Sequence, residues 1–582
     1  MTPPSTRSHG ALLQEDGTTR FALWAPDAAE VAVVFDDGAR HALRGTADGW
    51  FQATLNCAVG LPYRYLIDGQ LEVPDPASRA QAGDVHGASL VVDPQAYAWR
   101  HPEWRGRPWH ETVLYEVHVG LLGGFAEVEA RLPAWAELGI TAIELMPLGE
   151  FPGTRNWGYD GVLPFAPESS YGPPEALKSL IDSAHGLGLM VFIDVVYNHF
   201  GPDGNYLGHY ARAFFREDRH TPWGPAVDFR RREVRDFFCE NALMWLRDYR
   251  VDGLRLDAVH AIGERGFLVE LAQRARAAAL PGRHVHLVLE NEDNDARLLE
   301  QGYDAQWNDD AHNALHVLLT GETEGYYADF AERPIDQLAR CLAEGFAFQG
   351  EIDRRGHCRG RPSTHLPPSS FVLFLQNHDQ IGNRALGERL TQLSHPRALR
   401  AATLLLLLAP MVPLLFMGDE YGARQPFLYF TEHHDDLAEA VRDGRRAEFA
   451  EFAQFQHAEQ RAAIPDPNAP ATFEASRPSA EGPSGELWLG YYRQLLRLRH
   501  DWIVPRLLGC QALGVEVLSA QALSASWRLG DGCRLRIDLN LGALAVDRPP
   551  QRREAQPLFA SAEVSIAMLP PLSAAATLEE PS

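Results

Sequence analysis

Cysteine is scarce in this chain. Its six cysteines, Cys57, Cys239, Cys341, Cys358, Cys510 and Cys533, lie far apart with no C-x-x-C pair, which excludes a thiolate zinc site and a dense disulfide framework and fits reduced, mostly buried thiols. Positive charge is short as well. Fifty-three Lys plus Arg against 78 Asp plus Glu give a net charge of −25, which opposes binding to nucleic acid or to an anionic membrane and suits a neutral ligand or simply an acidic soluble surface. Long apolar runs are missing but for Ala401–Met417, which Pro410 and Pro413 interrupt and Asp419 and Glu420 follow; it reads as a buried helix, a turn and a strand rather than a membrane span. Met1 to Gly10 is polar and has no apolar core of the secretory kind, so the expected location is the cytoplasm. No H-E-x-x-H or close ligand pair occurs, so no metal is expected.

What is present is enough to fill large cores. At 582 residues and 45% hydrophobic, the chain has room for two to four domains. Residues 9–98 alternate in short runs such as Arg20 to Trp24 and Tyr63 to Ile67, broken by Pro, Asp and Gly turns, the pattern of an immunoglobulin-like β-sandwich. Over 99–503 the rhythm becomes strand, loop, helix. Apolar strands are expected at Val113–Val119, Ala142–Met146, Met190–Val196, Gly253–Leu256, His286–Leu289, Ala305–Trp307, Phe371–Leu375 and Val412–Phe416. Eight such units predict an α/β fold, a (β/α)8 TIM barrel with functional groups gathered where the strands end. Phe200 to Arg235 reads as an ordered insertion beside the mouth and the basic stretch Glu351 to Arg361 as a solvated loop, while 504–582 returns to short strands and a second, C-terminal β-sandwich.

The barrel is organised around Val251-Asp252-Gly253-Leu254-Arg255-Leu256-Asp257-Ala258-Val259-His260. In a strand Arg255 and Asp257 share one face and Leu254 and Leu256 the other. A guanidinium beside a carboxylate keeps it ionised and in place, as a nucleophile requires; an isolated R-x-D is equally a structural ion pair. Other polar clusters end their strands too: Asp194, Asn198 and His199 the third, Glu290 the fifth, Asn377, His378 and Asp379 the seventh. Asp257 and Glu290, 33 residues apart, are about one βα unit from each other and become neighbours on the rim. Two carboxyls in unequal surroundings suit retaining cleavage of a glycosidic bond, with Asp257 as nucleophile and Glu290, behind an apolar strand, protonated as the acid. Asp379 would grip the sugar from across the mouth, with His199 and His378 donating to hydroxyls.

Asp194-Val195-Val196-Tyr197-Asn198-His199, Gly253-Leu254-Arg255-Leu256-Asp257, Glu290-Asn291 and Asn377-His378-Asp379 resemble the four signature regions of the α-amylase family of glycoside hydrolases. Within it the chain is similar to the maltooligosyltrehalose trehalohydrolases over nearly its whole length, most tellingly at Gln306-Trp307-Asn308-Asp309-Asp310 and Gln376-Asn377-His378-Asp379-Gln380-Ile381-Gly382-Asn383-Arg384. The resemblance implies Asp257 as nucleophile, Glu290 as proton donor and Asp379 as transition-state stabiliser. It also implies substrate contacts at Tyr159 and Asp160, at His199, Arg255 and His260, at Asp309, Asp310, His312 and Asn313, and at His378, Gln380 and Asn383, with Trp223 walling the trehalose end. Tyr159 would stack under a sugar; packing is the alternative for it and for Trp223. Ala311, where many relatives carry a bulkier aromatic, and Glu290-Asn291-Glu292-Asp293 depart from the commoner pattern.

The implied reaction releases trehalose from a maltooligosyl-trehalose without any cofactor. The implied companion, a maltooligosyltrehalose synthase, builds the trehalose end and need not touch this protein. The alternatives are a glycogen branching enzyme or other α-glucan transferase, against which the Trp307 and Gln380 segments argue, and a catalytically silent glucan-binding protein, against which the four residues Arg255, Asp257, Glu290 and Asp379 argue.

Overall fold

The computed structural model describes residues 9–221, 224–480, 482–550 and 555–581. At the N-terminus two antiparallel sheets face each other. One has four strands, built on the pair Thr19–Trp24 and Trp50–Leu55; the other has six, built on Val31–Phe35 and Pro62–Ile67. Phe21, Val33, Tyr63 and Tyr65 alternate inward and fill the space between them. The seam to the barrel is mixed: Val85 packs with Val162, Leu163 and Ala166, and Trp24 lies against Phe214, while Arg212 pairs with Asp27 and Lys178 Nζ donates to Pro94 O at 2.7 Å.

Eight parallel strands then close on themselves: β1 (Leu114–Val117), β2 (Ala142–Leu145), β3 (Met190–Val195), β4 (Gly253–Leu256), β5 (His286–Leu289), β6 (Ala305–Trp307), β7 (Phe371–Leu373) and β8 (Val412–Phe416), with β8 paired back to β1. All are buried on both faces, which is why they read as continuous apolar runs. Six of the seven connections between them carry helices of seven residues or more, such as Arg232–Arg247 and Arg265–Ala278; between β5 and β6 the helix shrinks to Ala296–Leu299.

Strand parity decides what fills the barrel. The lower inward layer is apolar, with Leu114, Ala142, Met190, Phe192, Val288, Ala305, Val372 and Val412 in one cluster that Trp104 and Trp109 close from below. Two residues further along the same faces come Glu116, Glu144, Asp194, Arg255 and Glu290. The barrel interior thus turns from hydrocarbon to charge as the strands approach their C-terminal ends. Gly253 permits the lower layer: a Cβ there would lie 2.1 Å from Phe192 Cε1, so only glycine lets that ring fill the interior.

At the mouth, the third connection forms an ordered insertion whose hairpin pairs Phe215–Thr221 with Gly224–Val227. The sixth carries a second hairpin, Gln349–Ile352 with Cys358–Gly360. After the barrel, a five-stranded antiparallel sheet and a two-stranded one form the C-terminal unit, the larger sheet packing on helices Pro334–Glu344 and Pro396–Leu408. The latter helix is the apolar run near Ala401, buried along most of its length. No helix among the described residues is long and apolar enough to cross a membrane.

Candidate active site

Arg255 is the hub. Its side chain is fully buried, lies 4.1 Å above the Trp307 ring, and donates through Nη1 to Asp194 Oδ2 at 2.8 Å and Asp257 Oδ1 at 2.9 Å, while Nη2 sits 3.5 Å from Glu290 Oε2. One guanidinium therefore spans three strand ends. The other oxygen of Asp257 accepts from Asn198 Nδ2 at 2.7 Å. Asp257 is thus held by two donors with 8% of its surface exposed. The next residue, Ala258, has φ +41°, a left-handed conformation rare without glycine. The kink aims its N–H at Glu290 Oε2, 2.5 Å away. Strained backbone and shared arginine together set the two carboxyls against each other.

Glu290 and Asp379 sit in unequal surroundings. Burial raises the Glu290 pKa, Arg255 opposes the rise, and Asp257 and Asp379 add to it. Asp379, on the short helix His378–Gly382, is also desolvated, but His378, Arg255 and Asn383 outweigh burial and hold its carboxyl below the usual range. Asp194 is pushed up to about 7, chiefly by burial and against the pull of Arg255. The site therefore contains a carboxyl biased to hold a proton beside one biased to stay ionised.

A cleft of about 560 Å³ opens over Glu290 and Asp379 and is lined by Asp309, Asn313, Gln380 and Asn383. Gln380 Nε2 donates to Asp309 Oδ1 at 3.2 Å, and Asn383 Nδ2 to Asp379 Oδ1 at 3.2 Å. Tyr159 stacks on His378 and donates its hydroxyl proton to Asp194 Oδ2 at 2.6 Å. His260 is partly exposed at the rim, accepting the Glu292 N–H through Nδ1. Asp160 accepts from Asn156 and pairs with His433. Both ring nitrogens of His199 are engaged within the protein, Nδ1 with Asn198 Oδ1 and Nε2 with Tyr159 O. Trp223 lies outside the described residues.

Three expected contacts need correction. Arg255 is 0% exposed and so positions carboxylates instead of touching a sugar. Asp309 to Asn313 is the first turn of helix Asp309–Thr320, so only residues four apart share the face toward the cleft, Asp309 and Asn313. His312 points into the core, stacked on Phe374 with Nδ1 on Leu375 O, and burial drops its pKa to about 3. Ala311 is likewise wholly buried. Asp310 accepts from Asn294 Nδ2, Ala347 N, Phe348 N and Arg359 Nη2, all within 3.1 Å. Arg359 comes from the basic hairpin, so that stretch is no mere solvated loop; it walls the cleft and is anchored on Asp310. Asp310→Ala strands four donors in a dry setting, and the expected loss is about 3 kcal/mol or more. Denaturant unfolding measures it, and an unchanged midpoint would contradict the anchoring role.

Sequence comparison places this geometry among known proteins. Residues 95–218 match the family described as alpha amylase, catalytic domain, and residues 510–576 match a domain of unknown function, DUF3459. The malto-oligosyltrehalose trehalohydrolase of Rhizobium sp. (strain M-11) is 38% identical over 608 aligned positions, covering 98% of this chain and 99% of that one. The chain belongs to the malto-oligosyltrehalose trehalohydrolase family. A second trehalohydrolase, from Deinococcus radiodurans, is 41% identical over 86% of this chain and 84% of its own length. A crystal structure from Salmonella typhimurium, of a protein assigned as an alpha amylase, superposes with a TM-score of 0.93 at 43% identity, covering 99% of this chain and all of that one.

Within this trehalohydrolase fold several groups at the mouth escaped the sequence reading. Glu116 and Glu144 stand in Leu-Tyr-Glu-Val and Ala-Ile-Glu-Leu, buried strands in which a lone carboxylate is costly and so signals use. Tyr326 and Phe452 also line the cleft with Arg359; Tyr326 comes from a polar connection without a period to place it, whereas Phe449, Phe452 and Phe455 recur every third residue, a signal the sequence reading passed over.

Proposed function

We propose that this chain hydrolyses the α-1,4-glucosidic bond next to the terminal trehalose unit of a maltooligosyl-trehalose, with retention at the anomeric carbon. Similarity to trehalohydrolases along the full chain carries the choice of substrate. The pairing of Asp257 and Glu290 through one arginine supports the chemistry.

In the first half, an Asp257 oxygen attacks the anomeric carbon while Glu290 passes its proton to the glycosidic oxygen, and trehalose leaves. In the second, Glu290, now a carboxylate, takes a proton from water, the water oxygen bonds to the anomeric carbon, and Asp257 is released with the maltooligosaccharide. Arg255 and Asn198 hold the nucleophile's oxygens, so little reorganisation is needed at the moment of attack. Asp379 would grip ring hydroxyls as positive charge develops. Tyr159 would lie against the sugar, with Asp309, Asn313, Gln380 and Asn383 around it. The substrate is the product of a maltooligosyltrehalose synthase, and we place both reactions in the cytoplasm without requiring contact between the proteins.

Product analysis tests this directly. The protein is incubated separately with maltohexaose and with maltotetraosyl-trehalose, and the sugars are resolved by chromatography. Trehalose plus maltotetraose from the second, with the first cleaved far more slowly, is expected. Branched or elongated glucans would move the chain to the transferases.

A further inference from the structure

Glu116 lies on the inward face of β1, 1% exposed, and both of its oxygens are committed to one residue. Oε1 is 2.5 Å from His378 Nδ1, and Oε2 accepts the His378 backbone N–H at 3.0 Å. The far side of that imidazole faces two groups of the mouth, with Nε2 2.8 Å from Tyr159 Oη and 3.4 Å from Asp379 Oδ1. Hydrogen-bond direction then follows from what each atom can give. The Tyr159 proton goes to Asp194 Oδ2, whose other close partner is the donor Arg255. With the Tyr159 proton on Asp194, Oη offers lone pairs to Nε2, and Asp379, which its surroundings hold ionised, can only accept, so Nε2 carries a proton. Nδ1, facing a carboxylate, carries the other.

We propose that Glu116 is a positioning residue for hydrolysis, holding His378 doubly protonated with its Nε2–H aimed at Tyr159 and Asp379. The inference rests on the placing of those two groups against the sugar. Fixed in this way, His378 supplies the positive charge that keeps Asp379, partly exposed in the cleft, an oriented carboxylate. Burial alone would strip the imidazole of its charge; Glu116 and Asp379 reverse that and raise its pKa well above the ordinary range. Glu144 makes the contrast. It is paired with Glu116 across β1 and β2 and equally buried, yet neither of its oxygens meets a hydrogen-bond partner, and burial biases it to the neutral acid.

The test uses the full chain with maltotetraosyl-trehalose as substrate. Glu116→Gln keeps shape and the backbone contact but removes the charge, so kcat falls by about 10- to 100-fold, on the scale of losing the outer carboxylate partner of a metal-bound histidine, with KM changed far less. Beside the alkaline limb that Glu290 already imposes on the wild type, the pH profile gains a second decline that begins nearer the ordinary histidine pKa, about 6.5, because the imidazole now loses its proton there. Other groups could shift that limb. Those bearing on the pair are Glu144 from β2, Asp194 from β3, Arg255 from β4, Tyr159, Asp379, His118 after β1 and Asp419 after β8. The double variant Glu116→Gln/His378→Ala isolates the route: no loss beyond His378→Ala alone supports action through His378, and independent losses overturn it. Glu116→Asp, whose shorter carboxylate reaches one N–H, serves if the glutamine variant does not fold, with an intermediate kcat expected. Wild-type kcat and pH profile in both variants would overturn the inference, as would a lower melting temperature with an unshifted profile. Failure of the wild-type chain to cleave the substrate would overturn instead the functional assignment on which it rests.

Discussion

Asp257→Asn leaves a folded protein that binds maltooligosyl-trehalose and turns it over on the order of 10⁵ to 10⁶ times more slowly, the scale of losing a covalent nucleophile. The side chain keeps its size but loses its negative charge and one of its two acceptors. In the native site Arg255 Nη1 and Asn198 Nδ2 each donate to a different Asp257 oxygen. Asparagine can accept from only one of them and turns an N–H toward the other. The fold survives because Arg255 retains Asp194 at 2.8 Å and Glu290 at 3.5 Å. Binding survives because the cleft-lining groups are untouched. Calorimetric titration alongside single-turnover kinetics separates the two effects: affinity within a few-fold of wild type with turnover gone is the expected pair. Residual turnover above about one per cent would be far beyond what a lost nucleophile permits, and would take Asp257 out of that role.

Glu290→Gln costs less and costs it selectively. General acid catalysis contributes about 10²- to 10⁴-fold, so kcat on maltooligosyl-trehalose should fall by that factor. A glycosyl fluoride, whose leaving group departs without a proton, should lose far less in the first half-reaction. The pH profile gives the second signature. Burial raises the Glu290 pKa, so the acid keeps its proton to a higher pH than a solvated glutamate, and the wild-type rate falls as pH rises through that raised value. Glutamine does not titrate, so the variant loses this alkaline limb. A variant slowed equally on both substrates, with the wild-type limb intact, would move the acid role to another group.

The barrel was legible because its strands are buried on both faces and so stand out as short apolar runs. Its chemistry was legible because charged residues interrupt those runs at one parity, as Arg255 does between Leu254 and Leu256. What sequence could not give was facing. Asp309, Asp310, His312 and Asn313 look alike as a polar cluster, and only the helical turn they adopt divides the cleft-lining pair from the buried one. The basic stretch near Arg359 was misread for a related reason: its partner, Asp310, is 49 residues away and no local pattern joins them. The short helix Ala296–Leu299 has too few turns to show a period.

Closure of the barrel has a consequence for how the protein is made. The first strand finds its last neighbour only when β8 emerges, since Leu114 pairs with Leu414, about 300 residues later. At the ordinary pace of synthesis, about 5–20 residues per second, β1 waits some 15 to 60 seconds with one edge open. An exposed apolar strand is an invitation to aggregate during such a wait. Glu116 and Glu144, carried inward on β1 and β2, are solvated and free to ionise on the nascent chain, where like charges resist pairing with a second copy. In the closed barrel the same two carboxyls are each 1% exposed.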